Sequence, residues 1–205
     1  MRVISIVSQK GGAGKTTLAI NLAVTAVAQG ARVTLIDLDP QVTAATWGDR
    51  RQAALPRVIS AQAARLPQIL KQVDAGTDWV FIDTPPAIGN TTLAAVKVAN
   101  HILVPCRAAI FDLDTLGATL ELVRVGQREA IVVLNAVPHR GPDADEARII
   151  ITNCGAAIAP VTLGHRAAFQ HAATVGLGVI EYEPSGKAAS EVKELFSWLD
   201  KRDTL

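Results

Sequence analysis

Several kinds of residue are scarce in this sequence, and each scarcity excludes a class of protein. Aromatic side chains make up only 4% of the 205 residues, so a core must be built mainly from Ala, Val, Leu and Ile. The two cysteines, Cys106 and Cys154, lack the CxxC-type spacing of a metal or iron–sulfur site and are expected to be reduced, buried thiols. Because 20 basic residues almost balance 19 acidic ones, any contact with nucleic acid has to come from a local patch.

Long apolar runs are also missing, and none approaches the length of a membrane span. The first ten residues, MRVISIVSQK, are too short and too polar for a secretion signal. Hydrophobic residues nevertheless make up 49% of the chain and charged residues 19%, which is typical of a folded globular protein. We therefore expect one soluble, cytoplasmic domain over residues 1–205, with no membrane partner.

Apolar runs of strand length alternate along the chain with helical patterns. Runs such as VISIV, VTLID and WVFID are almost continuously hydrophobic, as is typical of strands buried on both faces of a parallel sheet. The pattern predicts an α/β fold, a doubly wound and mostly parallel sheet flanked by helices on both faces. The predicted strands are Val3–Val7, Arg32–Asp37, Trp79–Asp83, His101–Pro105, Ala130–Asn135 and Ala157–Thr162. The predicted helices are Lys15–Gln29, Thr43–Arg51, Leu66–Asp74, Thr91–Ala99, Leu113–Val125, Asp143–Thr152 and Ala188–Lys201.

A glycine-rich segment follows the first predicted strand and opens the first predicted helix. It reads Lys10, Gly11, Gly12, Ala13, Gly14, Lys15, Thr16 and Thr17. Its glycines let backbone N–H groups approach phosphate oxygens, and the helix N-terminus adds a dipole that favours an anion. Lys15 supplies a positive charge to the β- and γ-phosphates, and the Thr16 hydroxyl is placed to bind Mg²⁺. The segment predicts a site for ATP and Mg²⁺; a glycine-rich turn without a ligand is the alternative.

The segment departs from the general pattern GxxxxGK[ST], because Gln9 stands where that pattern has glycine and Lys10 opens the run KGGAGKTT. Here the chain resembles the ParA/MinD ATPase superfamily, whose deviant Walker A motif is KGGxGK[ST]. The resemblance covers nearly the whole chain and implies a P-loop NTPase fold of the SIMIBI or MinD type. It also implies that Lys10 reaches across a face-to-face dimer to the partner subunit's phosphates. A solvated Lys10 is the alternative.

Three carboxylates follow predicted strands, where parallel sheets place their ligand sites. Strand two ends in Asp37-Leu38-Asp39-Pro40-Gln41, which resembles the DxDPQ motif of the superfamily. The resemblance implies that Asp39 positions or activates the attacking water and that Asp37 organises Mg²⁺ and the loop. Asp83, at the end of WVFID, resembles the Walker B residue and is expected to bind Mg²⁺ through water. Asn135 ends another strand and is either an adenine reader by resemblance or a turn former.

The resemblance also implies a function. The chain is similar to small ParA-type (ParF-like) partition ATPases, because strand one starts near Arg2 without a preceding helix-turn-helix segment. The resemblance to these proteins implies that the chain hydrolyses ATP slowly and that a partner protein stimulates the hydrolysis. ATP closes a homodimer, the dimer binds nucleoid DNA non-specifically, and a ParB-like, centromere-binding adaptor triggers release. Plasmid or chromosome partition is the expected outcome. Candidate DNA contacts are Arg166, Lys187 and Lys193, with His165 nearby; each is equally explained as a solvated surface charge.

Four other functions remain open at this point. A MinD-like membrane switch needs an amphipathic tail, whereas the apolar stripe of the last helix suits the core. An iron–sulfur carrier or nitrogenase-type reductase needs paired cysteines between subunits. A ligase of the dethiobiotin-synthetase kind does not need Lys10. ATPases that position carboxysomes or chemoreceptor clusters share the same switch and differ only in cargo.

Overall fold

The computed structural model describes residues 1–87, 89–139 and 141–202. These residues contain a seven-stranded sheet in the order β3-β2-β4-β1-β5-β6-β7, and every pair of neighbouring strands is parallel. The strands are β1 (Arg2–Ile6), β2 (Val33–Asp37), β3 (Arg57–Ser60), β4 (Trp79–Asp83), β5 (His101–Cys106), β6 (Ala130–Leu134) and β7 (Ala157–Ile158). The predicted parallel α/β fold is confirmed.

Ten α-helices accompany these strands in the described part of the chain. They are α1 (Lys15–Ala28), α2 (Thr43–Arg50), α3 (Leu66–Val73), α4 (Asn90–Val98), α5 (Ile110–Asp114), α6 (Leu116–Val125), α7 (Asp143–Asn153), α8 (Ala167–Thr174), α9 (Val179–Tyr182) and α10 (Lys187–Arg202). Single 3₁₀ turns lie at Ala63–Arg65 and Asp74–Gly76. None of these helices is both long and apolar enough to cross a membrane.

Each face of the sheet carries its own hydrophobic core, because successive side chains of a strand point to opposite faces. Ile4 and Ile6 of β1 pack with α1 and α10, whereas Val3 and Val7 pack with α3, α4, α6 and α7 on the other face. Strands covered on both sides explain the almost continuous hydrophobic runs of the sequence. Cys106 belongs to the second core as a free, buried thiol, and Cys154 is free and half-buried.

The edges of the sheet differ from the sequence-based prediction. β3 was not predicted, because its four residues lie at one edge and are only half-buried or exposed, so they lack a strong apolar pattern. β7 ends at Ile158, whereas the predicted strand extends to Thr162. Pro160 lies within the predicted range, has no N–H group for a ladder hydrogen bond, and so opposes the continuation of the strand.

Two helical segments also differ. The predicted helix Leu113–Val125 is divided at Thr115 into α5 and α6, and α5 begins earlier, at Ile110. The short helices α8 and α9 were not predicted from periodicity, because small residues such as Ala167, Ala168 and Ala172 give little hydrophobic contrast. α8 packs against α9, and α9 packs against α10, the predicted last helix.

Candidate functional site

A cleft of about 760 Å³ lies at the carboxyl edge of the sheet. The loop between β1 and α1 forms one side of it, and the rest is formed by residues that follow β2, β4, β5 and β6, by residues of α2 and by the segment 164–174. The predicted site residues that line the cleft are Gly11, Gly12, Gly14, Lys15, Thr16, Thr17, Asp39, Asn135 and Arg166. Ala13 is buried at 1% exposure. The fold therefore brings together the residues of four separate sequence segments.

The glycine-rich loop leaves the start of α1 open to an anion. Gly14 precedes the helix with a φ of 93°, in the left-handed region that favours glycine, and no side chain caps the helix N-terminus. The first N–H groups of a helix have no partner within the helix, so an uncapped N-terminus can bind phosphate oxygens. The local backbone therefore matches the phosphate site that the sequence predicts.

Lys15 is the buried cation of the site. Its ammonium group donates a hydrogen bond of 3.2 Å to the carbonyl oxygen of Lys10, and the residue is 6% exposed. Burial lowers the pKa of Lys15, while the nearby carboxylates of Asp83 and Asp39 oppose that effect. A buried ammonium group with so few partners is placed to compensate the charge of a phosphate.

Asp83 and Thr16, two of the three residues predicted to bind or organise Mg²⁺, are in direct contact. The Thr16 hydroxyl donates a hydrogen bond of 2.6 Å to Oδ2 of Asp83. The other oxygen, Oδ1, is buried and has no hydrogen-bond partner among the described residues. Burial raises the pKa of Asp83 to about 7. A hydroxyl and an unsatisfied carboxylate oxygen are ligands that Mg²⁺ prefers, so these two residues fit the ion that the sequence predicts.

The two aspartates after β2 have different surroundings. Asp37 is fully buried, and its two oxygens accept hydrogen bonds from the N–H groups of Asp39 and Ala45, both at 3.0 Å. Burial raises the pKa of Asp37. Asp39 is half-buried, accepts a hydrogen bond of 2.9 Å from the N–H of Gln41, and borders the cleft. Asp37 thus holds the loop and the start of α2, and Asp39 faces the site.

The pKa of Asp83 leads to a first testable prediction for the ligand-free protein in EDTA. Between pH 3.8, the ordinary pKa, and about 7, the folded state binds more protons at this site than the unfolded state. The free energy of unfolding must therefore fall as the pH rises through this window. Asp83→Asn removes the buried charge, so we expect the variant to melt several degrees higher than wild type at pH 8 and to lose most of this advantage by pH 5.

Thermal unfolding followed by circular dichroism from pH 5 to 8 checks this prediction. Asp37, whose pKa is also raised by burial, contributes in the same direction, so the substitution reduces the pH dependence without abolishing it. Asp49→Asn, on an exposed residue of α2, is the matched control and should leave the pH dependence unchanged. An Asp83→Asn protein that is less stable than wild type at pH 8 would contradict the assignment.

Lys10 lies beside the cleft and is not among the residues that line it. The half-buried residue borders a small neighbouring cavity with Asp112 and Thr115, and its own N–H donates to the Ser8 hydroxyl at 3.3 Å. The carbonyl of Lys10 accepts the hydrogen bond from Lys15. The two lysines of the motif therefore have different surroundings within one subunit.

Asn135 and Arg107 both contact the glycine-rich loop. The Asn135 side-chain amide donates a hydrogen bond of 2.7 Å to the Ala13 carbonyl oxygen. Arg107, immediately after β5, donates a hydrogen bond to the Gly12 carbonyl oxygen and lines the cleft. Sequence reasoning did not name Arg107, although the rule that ligands bind beyond the strand ends points to the residues after Pro105.

The candidate DNA contacts differ in their exposure and in their partners. Arg166 is half-buried, borders the cleft and forms an ion pair with Glu191, so its charge is already compensated. Lys187 and Lys193 lie on α10 and are exposed, although the Lys193 ammonium group donates to the Pro184 carbonyl oxygen at 3.0 Å. His165 is exposed at the rim of the cleft. Since Glu191 lies on α10 between Lys187 and Lys193, the structure places Arg166 beside the helix that carries the other two candidates.

Residues 4–176 match the family described as the CobQ/CobB/MinD/ParA nucleotide binding domain. The chain belongs to this family. It is 33% identical over 196 residues to maintenance of carboxysome distribution protein A of Gloeobacter kilaueensis, which covers 94% of this chain and 89% of that protein. It is 34% identical over 159 residues to the chromosome-partitioning ATPase Soj of Thermus thermophilus, which covers 62% and 64%. The predicted membership of the ParA/MinD superfamily is thereby confirmed.

The fold has a close counterpart among solved structures. The chain superposes on an ATP complex of a McdA variant from Cyanothece with a TM-score of 0.81. The superposition covers 100% of this chain and 97% of that one at 18% sequence identity, which supports the P-loop NTPase fold. The family match makes this chain a nucleotide-binding domain, whereas the cleft at the carboxyl edge of the sheet as the nucleotide site, and the roles of its single residues, remain predictions.

Proposed function

We propose that this protein is an ATP-hydrolysing switch that positions a cargo on DNA. In this cycle ATP closes a homodimer, the dimer binds DNA non-specifically in the cytoplasm, and a cargo-bound adaptor protein stimulates hydrolysis. The observation that carries the proposal is the separation of the two lysines of the motif. Lys15 lines the cleft with Thr16 and Asp39, while Lys10 lies beside the cleft, and we infer that it reaches a second subunit.

The hydrolysis step rests on groups that the cleft already holds together. Phosphoryl transfer needs mainly positioning and charge compensation, and Lys15 supplies the cation for the phosphates. Asp39 borders the same cleft and orients the attacking water. Thr16 and Asp83 would hold Mg²⁺, which compensates the phosphate charge when bound. Hydrolysis in a single subunit is proposed to be slow, because the DNA-bound state of such a switch must persist until the adaptor arrives.

The dimerisation step follows from electrostatics. Two bound nucleotides that face each other repel unless cations lie between them. Lys10 from each subunit is the proposed cation, and it would contact the nucleotide phosphates of the other subunit. ATP then stabilises the dimer and hydrolysis releases it, which gives the protein two states with different affinities for DNA.

Two cargoes are supported by the comparisons. Partition of a plasmid or chromosome with a ParB-like, centromere-binding adaptor is supported by similarity to a chromosome-partitioning ATPase. Positioning of a protein assembly is supported by similarity, over nearly the full chain, to a carboxysome distribution protein. Imaging of the fluorescently tagged protein in its native host distinguishes the two cargoes. The protein is imaged together with a labelled plasmid, and again after deletion of neighbouring adaptor genes.

A MinD-like membrane cycle is disfavoured by the last helix. The apolar stripe of α10, formed by Val192, Leu195, Phe196 and Leu199, is at most 1% exposed and packs in the core. It is therefore unavailable to a lipid surface unless the domain opens. Flotation of the ATP-bound protein with liposomes tests this alternative, and co-flotation with anionic vesicles would favour it over DNA.

DNA binding gives the second testable prediction. We expect a random-sequence duplex to bind only in the presence of ATP, with an affinity that falls at least about tenfold between 50 and 200 mM salt, because contacts to phosphates release counterions. Lys187→Glu with Lys193→Glu should weaken binding and make the salt dependence shallower. Fluorescence anisotropy over a salt series measures both effects.

The matched control is Lys97→Glu, compared with Lys187→Glu and Lys193→Glu made singly, because it makes the same change of charge on an exposed residue of α4, on the opposite face of the sheet. It should leave DNA binding nearly unchanged. Equal losses in the α10 and α4 variants would show that net charge alone matters and that α10 is not the DNA surface. Full-strength binding without ATP would contradict the switch itself.

A further inference from the structure

Two side chains from neighbouring strand ends hold two consecutive carbonyl groups of the phosphate loop. Arg107 follows β5 and donates to the carbonyl of Gly12, and Asn135 follows β6 and donates to the carbonyl of Ala13 at 2.7 Å. The N–H of Asn135 donates to the Cys106 carbonyl at 2.8 Å, which fixes the two strand ends beside each other. The loop is therefore held from one side by a pair of coupled donors.

The direction of these contacts decides where the loop presents its own donors. A trans peptide is planar, and its C=O and N–H groups point in opposite directions. The Gly12 carbonyl shares a peptide with the Ala13 N–H, and the Ala13 carbonyl shares one with the Gly14 N–H. No residue of the described ranges accepts a hydrogen bond from either N–H group. Both are consequently turned away from Arg107 and Asn135 and left available to an anion.

Close packing and backbone conformation restrict which residues can stand at positions 12 and 14 of the loop. A Cβ atom at Gly14 would lie 2.1 Å from the Asn135 amide nitrogen, and one at Gly12 would lie 3.5 Å from a guanidinium nitrogen of Arg107. Gly12 and Gly14 also have φ values of 71° and 93°, which other residues adopt at a cost. The loop thus fits closely against both side chains in a conformation that only glycine adopts freely.

We propose that Arg107 and Asn135 are positioning residues that preset the phosphate loop, by holding the Gly12 and Ala13 carbonyls so that the next two N–H groups face the nucleotide phosphates. Arg107 is suited to this role because none of the described carboxylates forms an ion pair with it, in contrast to Arg166. The proposal rests on the nucleotide binding of the family and is independent of the DNA and cargo steps. It gives Asn135 a function that does not require the adenine base.

Inorganic tripolyphosphate is the probe that separates these roles, since it has the phosphates of ATP and no base. Calorimetric titration of the purified protein with magnesium tripolyphosphate and with ATP compares wild type, Asn135→Ala and Arg107→Ala. We expect each variant to bind both ligands about tenfold more weakly, equivalent to about 1.4 kcal/mol. Arg107→Lys retains a donor of sufficient length and should remain within about threefold of wild type.

The matched control for charge is Arg50→Ala, because Arg50 also lines the cleft and forms no side-chain hydrogen bond to the loop. It should change tripolyphosphate affinity much less than Arg107→Ala. Melting of the ligand-free variants verifies the fold, and Asn135→Ser is a second variant if Asn135→Ala unfolds. Unchanged tripolyphosphate affinity in Asn135→Ala with weaker ATP binding would show an adenine reader and overturn the proposal, as would equal losses in the Arg50 and Arg107 variants.

Discussion

Replacing Lys15 by glutamine is expected to weaken the binding of both ATP and ADP by at least about a hundredfold. Truncating one partner of a buried charge pair at a binding site typically costs about 2–5 kcal/mol of affinity, and a hundredfold change corresponds to about 2.7 kcal/mol. Lys15 is 6% exposed and lies near the carboxylates of Asp83 and Asp39. Without its ammonium group, these carboxylates would face the phosphates directly, and repulsion would replace attraction.

Titration with a fluorescent ADP analogue measures this loss, and competition with unlabelled ATP extends it to the triphosphate. Lys10→Gln provides a matched control, since it makes the same substitution in the same loop at a residue that lies outside the cleft. We expect this control to bind ADP nearly as wild type does. If Lys15→Gln kept wild-type affinity, the phosphate site would not lie at this loop.

The central strands of the sheet could be predicted from the sequence because their hydrophobic pattern is strong. Strands β1, β2, β4, β5 and β6 are covered by helices on both faces, so each appears as an almost continuous apolar run. The predicted ranges of these five strands agree with the observed ones within one residue at every end. The residues of the glycine-rich segment could be predicted for a different reason, since their order along the chain and their place between a strand and a helix are both specific.

The sheet edges and the contacts between strand ends could not be predicted in the same way. β3 is half exposed, β7 has two residues, and α8 consists largely of small side chains, so none has a marked periodicity. The contact of Arg107 with Gly12 joins residues 95 positions apart and depends on the order of the strands. A single sequence gives the strands but does not give this order directly.

Replacing Asp39 by alanine is expected to block hydrolysis and leave nucleotide binding in place. A group that orients or deprotonates the attacking water typically contributes a factor of 10² to 10⁴, so we expect ATP turnover to fall by at least about a hundredfold. Asp39 does not hold the phosphate loop, and its hydrogen bond to the Gln41 N–H is local. The variant should therefore accumulate in the ATP-bound state and remain on DNA after the wild-type protein has dissociated.

Release of phosphate under steady-state conditions measures turnover, and dissociation from a DNA-coated surface after removal of free protein measures retention. Asp49→Ala, on an exposed residue of α2, is the control and should behave as wild type in both assays. Turnover at the wild-type rate in Asp39→Ala would show that another group orients the water.

The central claim is that Lys10 connects two ATP-bound subunits, and the mass of the Asp39→Ala protein in solution tests it most directly. Light scattering after gel filtration should give the 21.6 kDa mass of one chain without nucleotide or with ADP, and twice that mass with ATP and Mg²⁺. Adding Lys10→Ala should restore the single-chain mass with ATP while ADP affinity stays near wild type. A dimer that forms equally well without Lys10, or a single-chain mass with ATP in both proteins, would contradict the account.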